Sequence, residues 1–523
     1  MAIVTIKDVG SIGFIPDIPP HELPVQAWSG VKNIRFSENS AKKFLGHTQI
    51  FGTPGVSPIW HIPIISEGSL YWIYAGTDKV YVTDGVTHKD ISNGTYIVTE
   101  DVGWTGGILN GVPILNPGVS TPQMWNPVDF ATPQMLSNLT AWPAATQARV
   151  MRPFLYYMVA YNVTKNGVQH PYMVKWSHTA DPGTVPTSWD HTDPTKDAGE
   201  VELAETNGEI VEALPMRNIN VVYKTDSVWA MRFVGGNDIF AFEDLFREFG
   251  ALSRRCIKDY LGRHVVFGFG DIIIHDGQQA ESIVNNRTRR WLFNQIDGDS
   301  YKTSFVTYIQ DKKEMWFCFP EVGESRPTSA LVWNIREDTF GHRELPNAAH
   351  ADWGVLDINP SEVWDTDTQE WDQDLTVWNQ QLFNPVDRGL MVSDPNSNML
   401  WRMDDTNQFN GQNVQCFLER VGLPVAGRDR RGELVVDYDS VKFVSRIRPK
   451  MTSTGPVQIS VGSQMQDNDP VTWKGPKSFN PVTDFELYFE VTGRLIAVRF
   501  ESNSNISWNL HSYDLDVYEV SRY

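Results

Sequence analysis

The sequence predicts an all-β protein: a six-bladed β-propeller with an N-terminal arm and a C-terminal β-sandwich-like platform domain. Three observations predict it. β-Hairpins recur along most of the 523 residues, stretches with the 3.6-residue period of a helix are scarce, and aromatic residues make up 12% of the chain. The longest helix-like stretch, Phe240–Phe249 (FAFEDLFREF), predicts one short helix at most.

The clearest hairpin is Leu261–Gly277, LGRHVVFGFGDIIIHDG. Valine, isoleucine and phenylalanine over His264–Phe269 and Ile272–His275 suit a pleated surface. Gly270-Asp271 supplies the freedom a tight turn needs, and Asp276-Gly277 closes the unit. Variants occur at Ser69–Gly85, Gly106–Pro127, Arg152–Ser177, Arg217–Gly235, Lys312–Ile335 and Gly389–Asp405. Their second strands centre on Tyr81, Met124, Val174, Trp229, Ile273, Val332 and Leu400, at separations of 43, 50, 55, 44, 59 and 68 residues. A period of roughly 40–50 residues fits one four-stranded blade per unit. Stacked sandwiches are the alternative, since no WD or kelch signature is present. The expectation is six blades over residues 51–405, with the hairpin near Leu400 leading toward the platform.

Residues 1–50 form the arm and a docking segment. Phe14–Pro24 holds four prolines in eleven residues, so it is extended chain lying on another surface. Ile34–Phe36 and Lys43–Leu45 are candidate short strands around Glu38-Asn39-Ser40. Trp28, Phe36 and Phe44 want burial. The arm is therefore expected to pack on the C-terminal domain or on an adjacent subunit.

Within residues 51–405, Glu362–Gln381 differs in kind. Trp364, Trp371 and Trp378 recur every seven residues, with Asp365, Asp367, Asp372 and Asp374 between them. Such carboxylates could ligate Ca²⁺, but no glycine stands where a Ca²⁺ loop turns. The favoured reading is a solvated loop tacked down by its indoles.

Residues 406–523 form the last all-β domain. Strands are expected at Val441–Arg448, Val457–Val461, Phe485–Val491, Leu495–Phe500, Ser507–Leu510 and Asp514–Val520. Gly427–Glu433 (GRDRRGE) is a charged hairpin tip, basic in an acidic chain through Arg428, Arg430 and Arg431.

The 44 basic and 64 acidic residues leave a net charge of −20, which argues against a basic nucleic-acid groove as the main business of the chain. Cys256, Cys318 and Cys416 sit singly in apolar runs, so buried reduced thiols and a reducing cytosol are expected. The sequons at Asn138 and Asn162 carry no meaning there. Met1–Gly10 lacks the basic and apolar runs of a secretory leader, and no apolar run is long enough to span a membrane. No catalytic, cofactor-binding or metal-binding residue is assigned, and no cofactor is expected. The chain has no G-x-S-x-G, H-E-x-x-H, Cys-x-x-Cys, phosphate loop or sialidase Asp-box. His264, His275 and His342 are read as structural.

The opening GFIPDIPPHELP…AWSGVKNIRFSENSAKKFLG, the hairpin array, Ser445–Lys450 (SRIRPK) and Thr492–Asn503 (TGRLIAVRFESN) resemble the tail nozzle or tail hub proteins of short-tailed bacteriophages. These include the family named for packaged-DNA stabilisation. The similarity runs from end to end, rests on no single diagnostic motif, and brings no catalytic residues with it. It implies a virion structural protein made in the host cytoplasm. Six copies would form a homohexameric ring that retains the packaged genome and conducts double-stranded DNA during ejection. Its neighbours would be tail adaptor, fibre or needle proteins. A ring of six carries six times the charge of −20, and an acidic lumen spares sliding DNA the friction of phosphate contacts. Acidic side chains should then outnumber basic ones along that lumen. A receptor-binding or fibre-type virion protein and a propeller-fold carbohydrate-active enzyme are the alternatives.

Overall fold

A computed structural model describes residues 2–66, 69–126, 133–236, 238–356, 388–428 and 434–522. The protein is all-β, with many small antiparallel sheets. The α-helix among the described residues is Arg289–Gln295, and none there is long and apolar enough to cross a membrane. The Trp/Asp-rich stretch 362–381 lies outside the described residues, as do Arg430 and Arg431. Arg428 ends the strand Val425–Arg428.

Seven units, each a group of four antiparallel strands, follow one another along the chain, five as separate sheets, the sixth at one end of a twelve-stranded sheet and the seventh within a six-stranded one. Six of them occupy residues 60–90, 105–138, 146–202, 210–246, 257–282 and 305–344. The seventh takes His350–Val355, Arg388–Asp394 and Met399–Met403, and completes itself with His47–Gln49 from near the other end of the chain. The expected count of six therefore needs correction. The hairpin near Leu400 does not lead out to the platform but forms the middle of this seventh unit. Its outermost strand is remote in sequence, so the local pattern there looked incomplete.

Apolar side chains hold each unit to the next. Trp60, Val82, Trp104 and Leu115 pack between the first and second, and Trp176, Ile210, Trp229 and Phe240 between the third and fourth. Phe267, Leu292, Phe317 and Leu331 do the same between the fifth and sixth. Trp72, Leu356, Met391 and Leu400 join the seventh to the first, so the row of units returns to its start. Burying such side chains stabilises by about 1.5–3 kcal/mol each, which makes these seams the main source of cohesion.

The hairpin at Leu261–Gly277 forms with strands Arg263–Phe267 and Ile272–His275, Phe267 opposite Ile272. Its turn is therefore longer than Gly270-Asp271 alone. The helix expected within Phe240–Phe249 is instead the strand Phe240–Phe246, paired with Val228–Phe233. Tertiary pairing and burial of Phe240 against Phe154, Tyr157 and Trp176 override its weak helical periodicity.

The C-terminal region is two sheets packed face to face. One contains Ser440–Ser453, Leu487–Gly493 and the long strand Trp508–Arg522, which merges the expected Ser507–Leu510 and Asp514–Val520. The other contains Gln415–Leu423, Leu495–Asn503, Val457–Gln464 and Thr472–Phe479. Val444, Ile447, Ile459, Val498, Phe500 and Leu515 fill the space between them.

The N-terminal segment ties both regions together. Ala2–Lys7 pairs antiparallel with residues 512–517. Phe14 meets Trp291 edge to face at 5.1 Å, and the Asp17 carboxylate accepts from the amides of Arg290 and Trp291 at the start of the helix. The prolines of this stretch withhold amide donors but leave carbonyls. Buried Arg420 satisfies two of them, at Pro20 O (2.6 Å) and Leu23 O (3.0 Å). Ile34–Ser37 and Ser40–Lys43 then form a hairpin that joins residue 342 of the sixth unit to Asn509 and Leu510 of the platform. Gly46 passes so close to the chain at Gln408 that a Cβ there would lie 1.9 Å from its carbonyl oxygen.

A buried ion cluster sits at this junction. Asp404 accepts from Arg35 (2.6 Å), Lys312 (2.6 Å) and Arg343, while Arg35 also reaches Glu314 at 2.9 Å. Cys256, Cys318 and Cys416 are free and buried, and burial pushes the Cys256 thiol up to about 12.

Candidate functional site

The first strands of the second to seventh units lie side by side in order, Thr105–Leu109, Thr146–Phe154, Ile210–Met216, Ile257–Tyr260, Phe305–Ile309 and His350–Val355, and the last of these lies beside Trp60–Ser66 of the first unit. Residues from all seven enclose one cavity of about 310 Å³. Side chains alternate along a strand, so each strand offers only one or two groups to this space. Gly106, at φ +131°, contributes bare backbone, and a Cβ there would sit 2.0 Å from the Ile114 carbonyl oxygen.

The wall is polar. Arg152 clasps Glu212 with two parallel bonds of 2.9 and 2.7 Å and gives a third to Gly106 O at 2.8 Å. Burial alone would raise the Glu212 carboxyl, but Arg152 holds it below the usual range. Arg255 donates from Nη1 to Ala349 O at 2.9 Å, and burial lowers its guanidinium to about 10. Asp352 faces the same space, and burial raises its carboxyl. Lys258 lines the cavity, and its ammonium makes no hydrogen bond or close ion pair with a described residue, Asp352 being the carboxylate it feels across the space.

Two imidazoles meet here. The rings of His61 and His350 lie 4.5 Å apart, and the His61 amide donates to His350 Nδ1 at 3.4 Å. That bond makes Nδ1 the acceptor and leaves the proton of neutral His350 on Nε2. His61 is fully buried, with the Met391 backbone as the one weak polar neighbour of its ring among the described residues. Burial lowers its pKa to about 3, so both rings are neutral at pH 7.

Elsewhere the chain bridges units that are not neighbours in sequence. The segment between the first and second units reaches the far side of the ring, where Arg254 donates to Asp101 O (2.7 Å) and Gly103 O (3.2 Å). Arg326 of the sixth unit holds Glu100, at 2.7 Å from Nε.

The chemistry available is recognition of a small polar ligand. Glycoside hydrolysis needs two carboxyl groups free to act on either side of a sugar, and Glu212 is already committed to Arg152. Among the described residues no group of three His, Cys, Asp or Glu side chains could hold a metal ion. The histidines read as structural lie elsewhere. His264 Nδ1 and His275 Nε2 each bond Tyr223 Oη at 2.7 Å, and His342 meets Ser329 Oγ at 3.3 Å. Sequence reasoning missed His61, Arg152, Glu212, Lys258, His350 and Asp352. They come from five different strands and share no motif. The signal open to it was positional, since each lies on the strand that precedes a recurrent hairpin. No family model matches the chain, and no curated protein matches its sequence.

Proposed function

We propose that the seven units are the blades of a β-propeller closed by the N-terminal strand, and that the chain is a structural subunit of a bacteriophage tail. In this reading six copies form the nozzle or hub ring of a short tail, next to adaptor and fibre or needle proteins. The ring retains the genome and lets it out. The observation that carries the reading is mechanical. One N-terminal segment is built into the C-terminal sheet, caps a helix at the propeller and supplies a propeller strand. A component under the pressure of packaged DNA needs two bodies that cannot swing apart, and this segment locks them. The resemblance of the arm and the closing strands to nozzle proteins points the same way.

DNA does not run along the propeller axis. The cavity there is about 310 Å³, whereas the major groove of a duplex is itself about 12 Å wide. The genome channel must lie between subunits, around the six-fold axis. Light scattering on the purified protein is expected to give a species of six times 59.3 kDa, alone or once the adaptor ring is added. A trimer would favour the fibre reading, and a monomer that ignores the adaptor would remove the nozzle reading.

A further inference from the structure

We propose that the axial cavity is a binding site for a small hydroxylated oxyanion, with Lys258 as its principal anchor. The inference is independent of the tail assignment and stands whether or not the chain forms a ring.

Charge carries the first part. The chain as a whole is strongly acidic, yet the cavity is not. Arg152 and Glu212 cancel each other in their bidentate pair, which leaves Lys258 and Arg255 against one carboxyl, Asp352. Lys258 makes no hydrogen bond or close ion pair among the described residues, and Arg255 has given one N–H to Ala349 O. Asp352 offsets one of these two cations at a distance, and an anion between Lys258 and Arg255 would balance the other.

The imidazoles carry the second part. His61 is wholly buried on the wall, and with the Met391 backbone as its one weak polar neighbour at least one ring nitrogen has no partner among the described residues. Buried polar groups are nearly always satisfied, so a molecule with donors or acceptors belongs beside it. His350, locked by the His61 amide, presents its Nε2 proton to an oxygen. Asp352 can accept from a hydroxyl of the same molecule.

Size sets the class. About 310 Å³ is at the small end of small-molecule sites, which span roughly 300–1,000 Å³. It holds a hydroxy acid or a phosphate ester of a few carbons and excludes a polymer.

The test uses the full-length protein, with inorganic phosphate and gluconate as separate probes and potassium chloride matching the ionic strength. The melting temperature should rise saturably with at least one probe at millimolar concentration, and the probe that acts tells phosphate from carboxylate. Lys258→Gln should abolish the rise, and Lys258→Arg should keep part of it. No rise beyond chloride with either probe, or an equal rise in Lys258→Gln, overturns the proposal. If Lys258→Gln fails to fold, crystals of the unaltered protein soaked in selenate decide. Anomalous density at Lys258 Nζ sustains the site, and selenate found only elsewhere rejects it.

Discussion

Asp404 neutralises three cations at once, and two of them, Arg35 and Arg343, are almost wholly shielded from water. Burial disfavours its charge, but Arg35, Arg343 and Lys312 together keep its carboxyl far below the usual range. Removing a partner from such a cluster strands the remaining charges, at a cost of about 3–5 kcal/mol. Asp404→Asn should lower stability by that amount in urea unfolding, and a loss below about 1 kcal/mol would mean the guanidinium groups find water instead. The buried histidines predict a pH dependence. Burial lowers His61 and His275 to about 3, and His264 and His342 to about 4, against about 6.5 in an unfolded chain. Between those values the unfolded state holds more protons than the folded one. Their contribution is complete above about pH 6.5 and is lost as the pH falls toward 3. Each contributes a slope of up to about 1.4 kcal/mol per pH unit. Urea midpoints should therefore decline from pH 7 to pH 5, well before carboxylates titrate, and His275→Gln should flatten the decline. A level profile down to pH 5 would show that these imidazoles protonate without unfolding.

Every hairpin centre named from sequence lies in the third strand of a unit, from Tyr81 in Val80–Thr83 to Leu400 in Met399–Met403. Those strands were legible because β-branched and aromatic residues concentrate there between turn residues, and pairing is local. The count failed where pairing is not local. His47–Gln49 is three polar residues with no pattern of its own, and only the open edge of residues 399–403 makes it a strand. Thr472–Phe479 escaped for another reason. It is an edge strand exposed along most of its length, so burial never wrote a pattern into it. The cavity residues were invisible because ring closure, not sequence proximity, assembles them. The N-terminal elements can be separated by truncation. Removing residues 1–25 takes away Val4, Ile6, Val9 and the Asp17 cap, so limited proteolysis should cut the platform while the seven units resist. Removing residues 1–52 also takes His47–Gln49, and cleavage should then spread into residues 350–403. Equal resistance of the two truncations would mean that the strand at 47–49 does not hold the seventh unit.

At the scale of the whole molecule, the seven units and the C-terminal sheets are tied together because residues 2–49 are shared between them. Charge distribution over the chain suits a wall rather than a grip. The acid excess is spread over many loops, and several basic side chains are committed to internal partners, as Arg446 and Arg448 are to Asp516 and Glu486. A surface of this kind, facing a lumen, repels a duplex at long range and weakens with salt. The shared segment has a further consequence, for the birth of the protein. Ala2–Lys7 finds its partner in residues 512–517, and His47–Gln49 finds its own in residues 399–403. Translation at about 5–20 residues per second takes roughly half a minute to two minutes for this length. Throughout the interval between the two strands of each pair, the earlier one waits, unpaired, for the later. A chain cut short in that interval has open edges at both bodies, which chaperones and proteases can recognise.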